Sequence, residues 1–399
     1  MKIVICGAGQ VGFNIARHLA LEGNDVIVVD QSPELVRRIN DSLDAQGIVG
    51  HASHPDVLER AGTGDADMII AVTFTDEVNM VACQVAHSLF EVPIKIARIR
   101  DQSYLHPAWT NLFSREHLPI DVIISPELEV AKSIARRLQV PGCFEMIPLA
   151  KDKVRLLGVR VGANCPLINT RIRELTQLFP DLNIIIVGLL RDDTSIRLTG
   201  DDHIIVGDDV YFVVETAQQA RAMSAFGHEE PEAQRLLICG GGSIALRLAM
   251  LIEKDFPDVM VKIIEANAER AAAVASMLSG TVVLNGDVLD PDILQEASVG
   301  MTDTVVAVTD DDETNVLTSL LAKRHGASRA ITLLNKETYE ALVKTLGIDV
   351  IVSPRNITAS TILQHVRRGR IYSVHTLREG FGEVMEAEAL ETSSLVGTP

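Results

Sequence analysis

Three glycines near the start of the chain have the spacing of a loop that binds a dinucleotide. They are Gly7, Gly9 and Gly12, and they follow a short apolar run. In this pattern the first glycine forms a tight turn, the second lets backbone amides approach a pyrophosphate, and the third lets a helix pack closely on the strand. The residues expected to contact the phosphates are Gly7, Ala8, Gly9, Gln10 and Val11.

An acid follows the next apolar strand. Residues 26–29 are Val-Ile-Val-Val, and Asp30 comes directly after them, eighteen residues beyond Gly12. This is close to where such a fold places the acid that accepts hydrogen bonds from the adenosine ribose. A 2′-phosphate would meet this carboxylate as a like charge, so the sequence favours NAD(H) over NADP(H). Without the acid, the glycines would indicate only a tight strand-to-helix turn.

Further candidate ligands stand where later strands end. Thr73 and Phe74 follow an apolar strand, and Arg98 and Arg100 stand near the end of the strand predicted over residues 94–99. Ligands of doubly wound folds bind beyond the carboxyl ends of the strands, so we expect these side chains near the glycine loop. The simpler alternatives are that Thr73 caps the following helix and that the arginines form a solvated strand end.

The elements that position these residues alternate between strand and helix. This alternation predicts an α/β fold with a doubly wound parallel sheet, and we assign it to a first dinucleotide-binding domain over residues 1–140. Residues 141–228 change character and predict a small α+β module. Its strand-like runs, separated by Gly and Asp turns, are residues 154–161, 183–190, 203–206 and 210–214.

The opening motif then returns, which indicates an internal duplication. Gly240, Gly242 and Ala245 repeat the glycine spacing, with a small alanine in the third position. We therefore expect a second dinucleotide-binding domain over residues 233–369. Residues 371–399 begin another strand-rich module, which is expected to be incomplete.

The second copy has its own set of candidate ligands. Those matched to the first copy are Gly240, Gly241, Gly242, Ser243, Ile244, Glu265, Thr309, Asp310 and Leu334. Leu334 is expected where the first copy has Arg98, so one cationic contact is lost. Asp310 and the acids after it add negative charge, although such acids also complement the N-terminus of a following helix. We predict a second site with looser affinity for polyphosphate.

Composition limits the classes of protein that fit this chain. With 399 residues, a formal net charge of −18 and 47% hydrophobic residues, the chain can bury two or three cores but has no general affinity for nucleic acid. Five cysteines without a C-x-x-C pair suggest neither a disulfide framework nor a thiolate metal site. No signal peptide or spanning segment is indicated, so we expect a cytoplasmic protein.

Two other sets of residues can be interpreted either as solvated surface groups or as functional contacts. His51 and His54 have a spacing that suits a metal on a helix, but they are predicted in a loop without a third ligand, so solvated histidines are favoured. Arg136 and Arg137, like the cluster of Arg367, Arg368 and Arg370, are expected to be solvated surface groups. The alternative for these clusters is contact with an acidic partner or a neighbouring subunit.

The tandem order of dinucleotide fold, small module and both again closely resembles the regulatory subunits of bacterial Trk potassium uptake systems, whose units are called RCK or KTN domains. The resemblance covers essentially the whole chain, apart from most of the final small domain. It implies a ring on the inner face of the cell membrane, bound to a potassium channel subunit of the TrkH or TrkG type. It also implies binding of NAD(H) and of ATP or ADP, and gating of potassium flow without catalysis.

The resemblance has two consequences for the residues above. It makes Arg98 a ligand contact, to the cofactor or to a phosphate across a subunit interface. It also implies a homotetramer with eight RCK units, a number that suits a channel of two-fold symmetry.

An NAD-dependent oxidoreductase is the alternative function. Such an enzyme needs a proton donor or acceptor beside the nicotinamide. No tyrosine has a lysine four residues further on, and the β-rich modules are too small to enclose a substrate; the tyrosines are Tyr104, Tyr211, Tyr339 and Tyr372.

Overall fold

The first part of the chain forms a six-stranded parallel sheet with helices between its strands, in the order β3-β2-β1-β4-β5-β6. The computed structural model describes residues 1–101, 103–179, 182–192, 194–366, 371–377, 381–389, 393 and 396. The strands are β1 (Lys2–Cys6), β2 (Asp25–Asp30), β3 (Gln46–Val49), β4 (Met68–Ala71), β5 (Ile94–Arg98) and β6 (Val122–Ile124). The helices are α1 (Gln10–Leu21), α2 (Pro33–Ser42), α3 (Pro55–Arg60), α4 (Asp76–Phe90) and α5 (Pro126–Leu138). The alternation predicted from the sequence is confirmed.

Burial explains why the central strands are continuous apolar runs. Ile3, Val4 and Ile5 of β1 are all 0% exposed, because helices cover both faces of the sheet. The helices start where the sequence places their signals: the Ser32 hydroxyl oxygen accepts from the backbone N–H of Leu35 at 3.3 Å, and proline follows at the first helical position. Strand order and helix starts together bring the carboxyl ends of β1, β2, β4 and β5 to one edge.

A five-stranded antiparallel sheet follows, in the order β10-β9-β11-β8-β7. Its strands are β7 (Cys143–Leu149), β8 (Val154–Arg160), β9 (Ile185–Arg191), β10 (Thr194–Ser195) and β11 (Asp209–Glu215), and its helices are α6 (Leu175–Leu178) and α7 (Gln219–Ala225). The prediction of a strand over residues 203–206 is wrong. Ile204 there exchanges backbone hydrogen bonds with Asn169 and Thr170, and only His203 forms a bridge, to Arg171.

The second parallel sheet repeats the first, with the order β14-β13-β12-β15-β16-β17. Its strands are β12 (Arg235–Cys239), β13 (Met260–Glu265), β14 (Val282–Asn285), β15 (Thr304–Ala307), β16 (Arg329–Leu333) and β17 (Val350–Val352). The helices are α8 (Ser243–Asp255), α9 (Ala268–Met277), α10 (Pro291–Glu296), α11 (Asp312–Arg324), α12 (Glu340–Thr345) and α13 (Pro354–Val366). An antiparallel pair then follows, formed by β18 (Ile371–Thr376) and β19 (Glu383–Ala387).

Short 3₁₀ helices complete the secondary structure of the described residues. They are Thr63–Asp65, Pro107–Phe113 with a kink at Trp109, Ile172–Glu174, Thr216–Gln218, Val299–Met301 and Glu337–Tyr339. Within these described residues, no helix has the length and apolar character needed to cross a membrane.

The chain divides into two compact units, one of Met1–Glu129 with Pro354–Pro399 and the other of Val130–Ser353. In the first unit α13 packs against α1, where Ile362 and Leu363 join the core formed with Ile15.

In the second unit, Arg329 of β16 donates to the carbonyl oxygens of Arg137 and Cys143, at the end of α5 and the start of β7. Helix α5 follows the first parallel sheet, but most of it belongs to the second unit. Helix α13 follows the second parallel sheet, but it belongs to the first unit.

All five cysteines are buried and unpaired. Burial raises the pKa of the Cys6 and Cys239 thiols to about 12, and that of Cys143 to about 11. These thiols are therefore neutral side chains of the core at physiological pH.

Candidate functional site

The loop between β1 and α1 owes its shape to glycine. Gly7 has a φ of 112°, which favours glycine, and its amide donates to the Val29 carbonyl oxygen at 2.8 Å. A Cβ on Gly12 would lie 1.8 Å from the carbonyl oxygen of Gly7, so the close approach of helix and loop requires a residue without a side chain. A Cβ on Gly9 would have no atom within 4 Å. The space in front of Gly9 is therefore open.

Helix α1 begins without the side-chain caps and acids found on neighbouring helices. Its N-cap residue is Gly9, which has no side chain to cap the helix, and its first turn has no acid. By contrast, α2 is capped by Ser32, and the first turn of α4 contains Asp76 and Glu77. The first amides of α1, at the positive end of the helix dipole, are directed toward the open space in front of Gly9. Phosphate oxygens bind in such an environment.

Asp30 connects the end of β2 to the glycine loop. Its Oδ2 accepts from the amide of Ala8 at 2.6 Å, and its Oδ1 accepts from the amide of Ser32 at 2.9 Å. A carboxylate oxygen can accept more than one hydrogen bond, so both oxygens can still bind ribose hydroxyls. The residues present therefore fit an adenosine ribose at Asp30 and a diphosphate at the start of α1.

Asn79 of α4 holds together the ends of β4 and β5. Its Oδ1 accepts from the backbone amide of Thr73 at 2.8 Å and from the Thr73 hydroxyl at 2.7 Å. Its Nδ2 donates to the carbonyl oxygens of Thr73 at 3.2 Å and Arg98 at 2.9 Å. Asn79 is 0% exposed, so this side chain has no solvent to replace these partners. The N-cap of α4 is Thr75, so Thr73 does not cap the helix. Thr73 is instead held by Asn79, and we call this set of hydrogen bonds the Asn79 clamp.

The cationic residues of the first site differ in how they are held. Arg100 donates from Nε to the Glu127 carboxylate at 2.9 Å, and its guanidinium lies 5.2 Å from the centre of the Phe74 ring, which is 83% exposed. Arg98 is half-buried, and its Nε has no hydrogen-bond partner among the described residues. Burial, and then the charge of Arg100, lower the pKa of Arg98. The simpler alternative, that both arginines form a solvated strand end, does not hold for Arg98, because its side chain is half-buried.

The second glycine loop shares the first turn and the open helix start of the first loop, with Ala245 in place of Gly12. Gly240 has a φ of 103°, and a Cβ on Gly242 would have no atom within 4 Å. Gly242 is the N-cap of α8, which has no side-chain cap and no acid in its first turn. The Glu265 carboxylate accepts from the amides of Gly241 at 2.6 Å and Asn267 at 2.8 Å, as Asp30 does in the first copy.

The clamp is also repeated. Asn315 accepts from the amide and the hydroxyl of Thr309, at 2.8 and 2.7 Å, and donates to the carbonyl oxygen of Leu333 at 3.2 Å. Since Asn79 donates to Arg98 in the first copy, Leu333 is the residue that corresponds to Arg98. The assignment of Leu334 to that position is wrong by one residue: Leu334 pairs with Val352, is 0% exposed and belongs to the core.

The other candidates of the sequence do not join either site. His51 and His54 stack on each other with ring centres 4.7 Å apart, and no cluster that could hold a metal occurs in the described part of the chain. Arg137 is buried and donates to the Phe144 carbonyl oxygen at 3.0 Å and to Glu145, so its expected solvation is wrong. The cluster of Arg367, Arg368 and Arg370 lies outside the described residues.

Two acidic side chains that fix the chain after these strands were not among the site residues predicted from the sequence. Asp76 accepts from the amides of Arg100 and Asp101, both at 2.8 Å, and so fixes the chain after β5. In the second copy Asp312 takes the same role for Asn335. The signal was present, because both acids and both asparagines recur at the same spacing in the two copies.

Family models match both copies and the module between them. The TrkA-N domain matches residues 3–126 and 236–354, and the TrkA-C domain matches residues 156–227. The chain is 53% identical over 399 residues to a protein of Azorhizobium caulinodans named Trk system potassium uptake protein TrkA, covering 100% of this chain and 87% of that relative. A protein of the same name from Halomonas elongata is 41% identical over 400 residues, covering 100% of this chain and 86% of that relative.

Solved structures share the fold at low sequence identity. One described as the GsuK channel bound to NAD aligns with a TM-score of 0.65 and 18% identity, over 91% of this chain and 63% of that one. The human SLO3 gating ring aligns with a TM-score of 0.51 and 13% identity, over 90% of this chain and 81% of that one.

Replacing Asn79 with Ala should lower the free energy of unfolding of the first parallel-sheet domain by about 3 kcal/mol, because buried Thr73 and Arg98 groups lose their partners. Urea unfolding, with hydrogen exchange of the β4 and β5 amides as the local probe, measures this loss. Asn183, which is exposed, provides the control: Asn183→Ala should change stability by less than about 0.5 kcal/mol. Equal effects of the two substitutions would contradict the clamp.

Proposed function

Because this chain belongs to the family of Trk system potassium uptake proteins named TrkA, we propose that it is a nucleotide-sensing regulatory subunit of a potassium uptake system. It binds NAD(H) and ATP or ADP, and it controls potassium flow through a membrane subunit of the TrkH or TrkG type. One observation carries this proposal: each copy combines an uncapped helix start, an open glycine and an adjacent strand-end acid. This combination suits a diphosphate joined to a ribose.

The ligands at the first site follow from its charges. The Asp30 carboxylate accepts hydrogen bonds from the hydroxyls of an unphosphorylated ribose, which favours binding of NAD(H) over NADP(H). Gly7, Ala8, Gly9, Gln10 and Val11 provide the backbone around the diphosphate. Thr73, Phe74 and Arg98 stand at the far end of the ligand, where NAD(H) has its nicotinamide half and ATP has its γ-phosphate.

The role of the ligand is to change an equilibrium between arrangements of the protein. A binding protein without catalysis transmits a signal only if its ligands prefer one arrangement over another. Arg98 can supply the difference, since a terminal phosphate can form bidentate contacts with a guanidinium that a less charged group cannot form. The proposed assembly is a homotetrameric ring of eight RCK units on the inner face of the membrane, where this change opens or closes the channel partner.

An NAD-dependent oxidoreductase is the competing function. Steady turnover of NADH with a panel of carbonyl substrates would favour it and would contradict a purely regulatory role. Membership in a family named for potassium uptake supports the regulatory role.

Replacing Asp30 with Ala should weaken NAD(H) binding at the first site by about 1–3 kcal/mol, because the ribose hydroxyls lose a charged acceptor. Calorimetry on the full chain measures this, in a Gly242→Asp background that places a carboxylate in the second phosphate space. The matched substitution Glu265→Ala in the same background should leave this binding event almost unchanged. The opposite pattern would show that the two copies have been assigned each other's roles.

Replacing Arg98 with Ala should reduce the difference between the effects of ATP and NADH on potassium flux, because the group that distinguishes their far ends is removed. Flux into vesicles containing the channel partner and the full chain measures the effect. Arg115, which is exposed, is the control, and Arg115→Ala should keep the wild-type difference. A full wild-type difference in the Arg98 variant would contradict this mechanism.

A further inference from the structure

The second glycine loop accepts a hydrogen bond from an arginine side chain. Among the described residues the first loop accepts none, and the nearby Arg38 instead packs its guanidinium on the Phe13 ring, 4.1 Å from the ring centre. Arg270 donates from Nε to the carbonyl oxygen of Gly241 at 2.8 Å. Its Nη1 and Nη2 atoms have no hydrogen-bond partner among the described residues, and the side chain is half-buried. The guanidinium is therefore oriented by the loop, and its two terminal nitrogens remain free to donate.

The corresponding residue of the first copy is Leu35. The amide of Arg270 donates to the side chain of the N-cap residue Asn267 at 2.9 Å, and the amide of Leu35 donates to the N-cap Ser32 at 3.3 Å. Both residues thus occupy the same position in the first turn of the helix after the acid-bearing strand. The duplication has placed an arginine there in one copy and a leucine in the other.

The contacts of Gly241 locate Arg270 at the adenosine end of the second site. The Gly241 amide donates a hydrogen bond to the Glu265 carboxylate at 2.6 Å, and its carbonyl oxygen accepts a hydrogen bond from Arg270 Nε. In this fold the strand-end acid binds the adenosine ribose, so a residue that contacts the same loop residue lies beside that ribose. Arg270 is thus on the opposite side of the diphosphate from the end of β16.

The far end of the second site has no cation at the position of Arg98, and the lysine that follows β16, Lys336, is paired with the Glu313 carboxylate at 3.0 Å. Leu333, which is 3% exposed, stands where the first copy has Arg98, and the exposed Asp310 stands where the first copy has Phe74. The first site therefore has its arginine near the part of the ligand that differs between ADP, ATP and NADH. The second has its arginine near the part that these ligands share.

We propose that Arg270 binds the adenosine half of the ligand and so selects adenine nucleotides as a class, and that the second site accepts ADP, ATP and NADH without discriminating among them. Its terminal nitrogens donate to acceptor atoms of the ribose and the adenine, and its planar face packs against the base. The first site then senses ligand identity, while the second responds to the total adenine nucleotide. This inference rests on the proposed nucleotide binding by the two loops.

Two background variants separate the sites in the full chain. Gly9→Asp places a carboxylate in the first phosphate space and leaves the second site open, and Gly242→Asp does the reverse. Neither new side chain meets an existing atom at its Cβ, so both variants should fold. Thermal unfolding of each variant checks this.

The test uses calorimetry with ADP, ATP and NADH on the Gly9→Asp protein. The three dissociation constants at the second site should agree within about threefold. Adding Arg270→Leu should raise all three by about tenfold or more, the usual effect of losing a hydrogen bond from a charged group. Adding Arg324→Leu, which removes an exposed arginine at the end of α11, should leave them unchanged and so controls for net charge.

Inorganic pyrophosphate separates a ligand contact from a purely structural role of Arg270. It fits the glycine loop but has no adenosine, and its binding is measured by competition with radiolabelled ADP in equilibrium dialysis. Arg270→Leu should weaken ADP and leave pyrophosphate within about twofold, because Arg270 is proposed to bind only the adenosine half. Equal weakening of both would show that Arg270 only holds the loop, and would overturn the proposal.

Two further outcomes would also overturn it. The first is a difference of more than tenfold among the three nucleotides at the second site. The second is no nucleotide binding to the Gly9→Asp protein. In the latter case the Gly242→Asp protein, measured in parallel, shows whether the first site still binds nucleotide; loss there as well would contradict the proposed function itself.

Discussion

The site depends on the backbone contact between the glycine loop and the end of the fourth strand. A Cβ on Gly7 would lie 3.0 Å from the amide nitrogen of Thr73, so loop and strand end are already at the limit of close approach. Asn79 fixes that same amide with its side-chain oxygen, and Asp30 fixes the amide of Ala8 from the other side. The loop is thus held from both sides before any ligand arrives. A preorganised loop of this kind loses little conformational entropy when a diphosphate binds.

The duplication preserved this backbone arrangement and changed the side chains around it. Both copies keep the positive φ of the first glycine, the strand-end acid and the clamping asparagine, with distances that agree within about 0.3 Å. The arginines differ: the first copy has Arg98 at the end of β5, and the second has Arg270 on the carbonyl oxygen of its glycine loop. We propose that this shared geometry with different charges gives the two sites different selectivity.

Much of this arrangement follows from local sequence signals. The glycine spacing, the acid after β2 and the strand alternation depend on backbone geometry and burial, so they predicted the sheets and the strand edge at which the glycine loop and the acid meet. The clamp of Asn79 was not predicted, because its four hydrogen bonds join three segments that only the fold brings together. Arg270 was missed for the same reason, since a surface arginine in a helix gives no sign that its side chain reaches a loop 29 residues earlier. Aligning the copies by sequence also placed Leu334 one residue too far, and only the strand register corrected it.

In the proposed function, each glycine loop holds the diphosphate of an adenine nucleotide while the adjacent acid holds its ribose. A structure of the full chain with bound NADH tests this most directly. We expect phosphate oxygens about 3 Å from the first amides of α1, and ribose hydroxyls at a similar distance from the Asp30 carboxylate. A ligand whose diphosphate lies away from Gly9, or whose ribose makes no contact with Asp30, would contradict it.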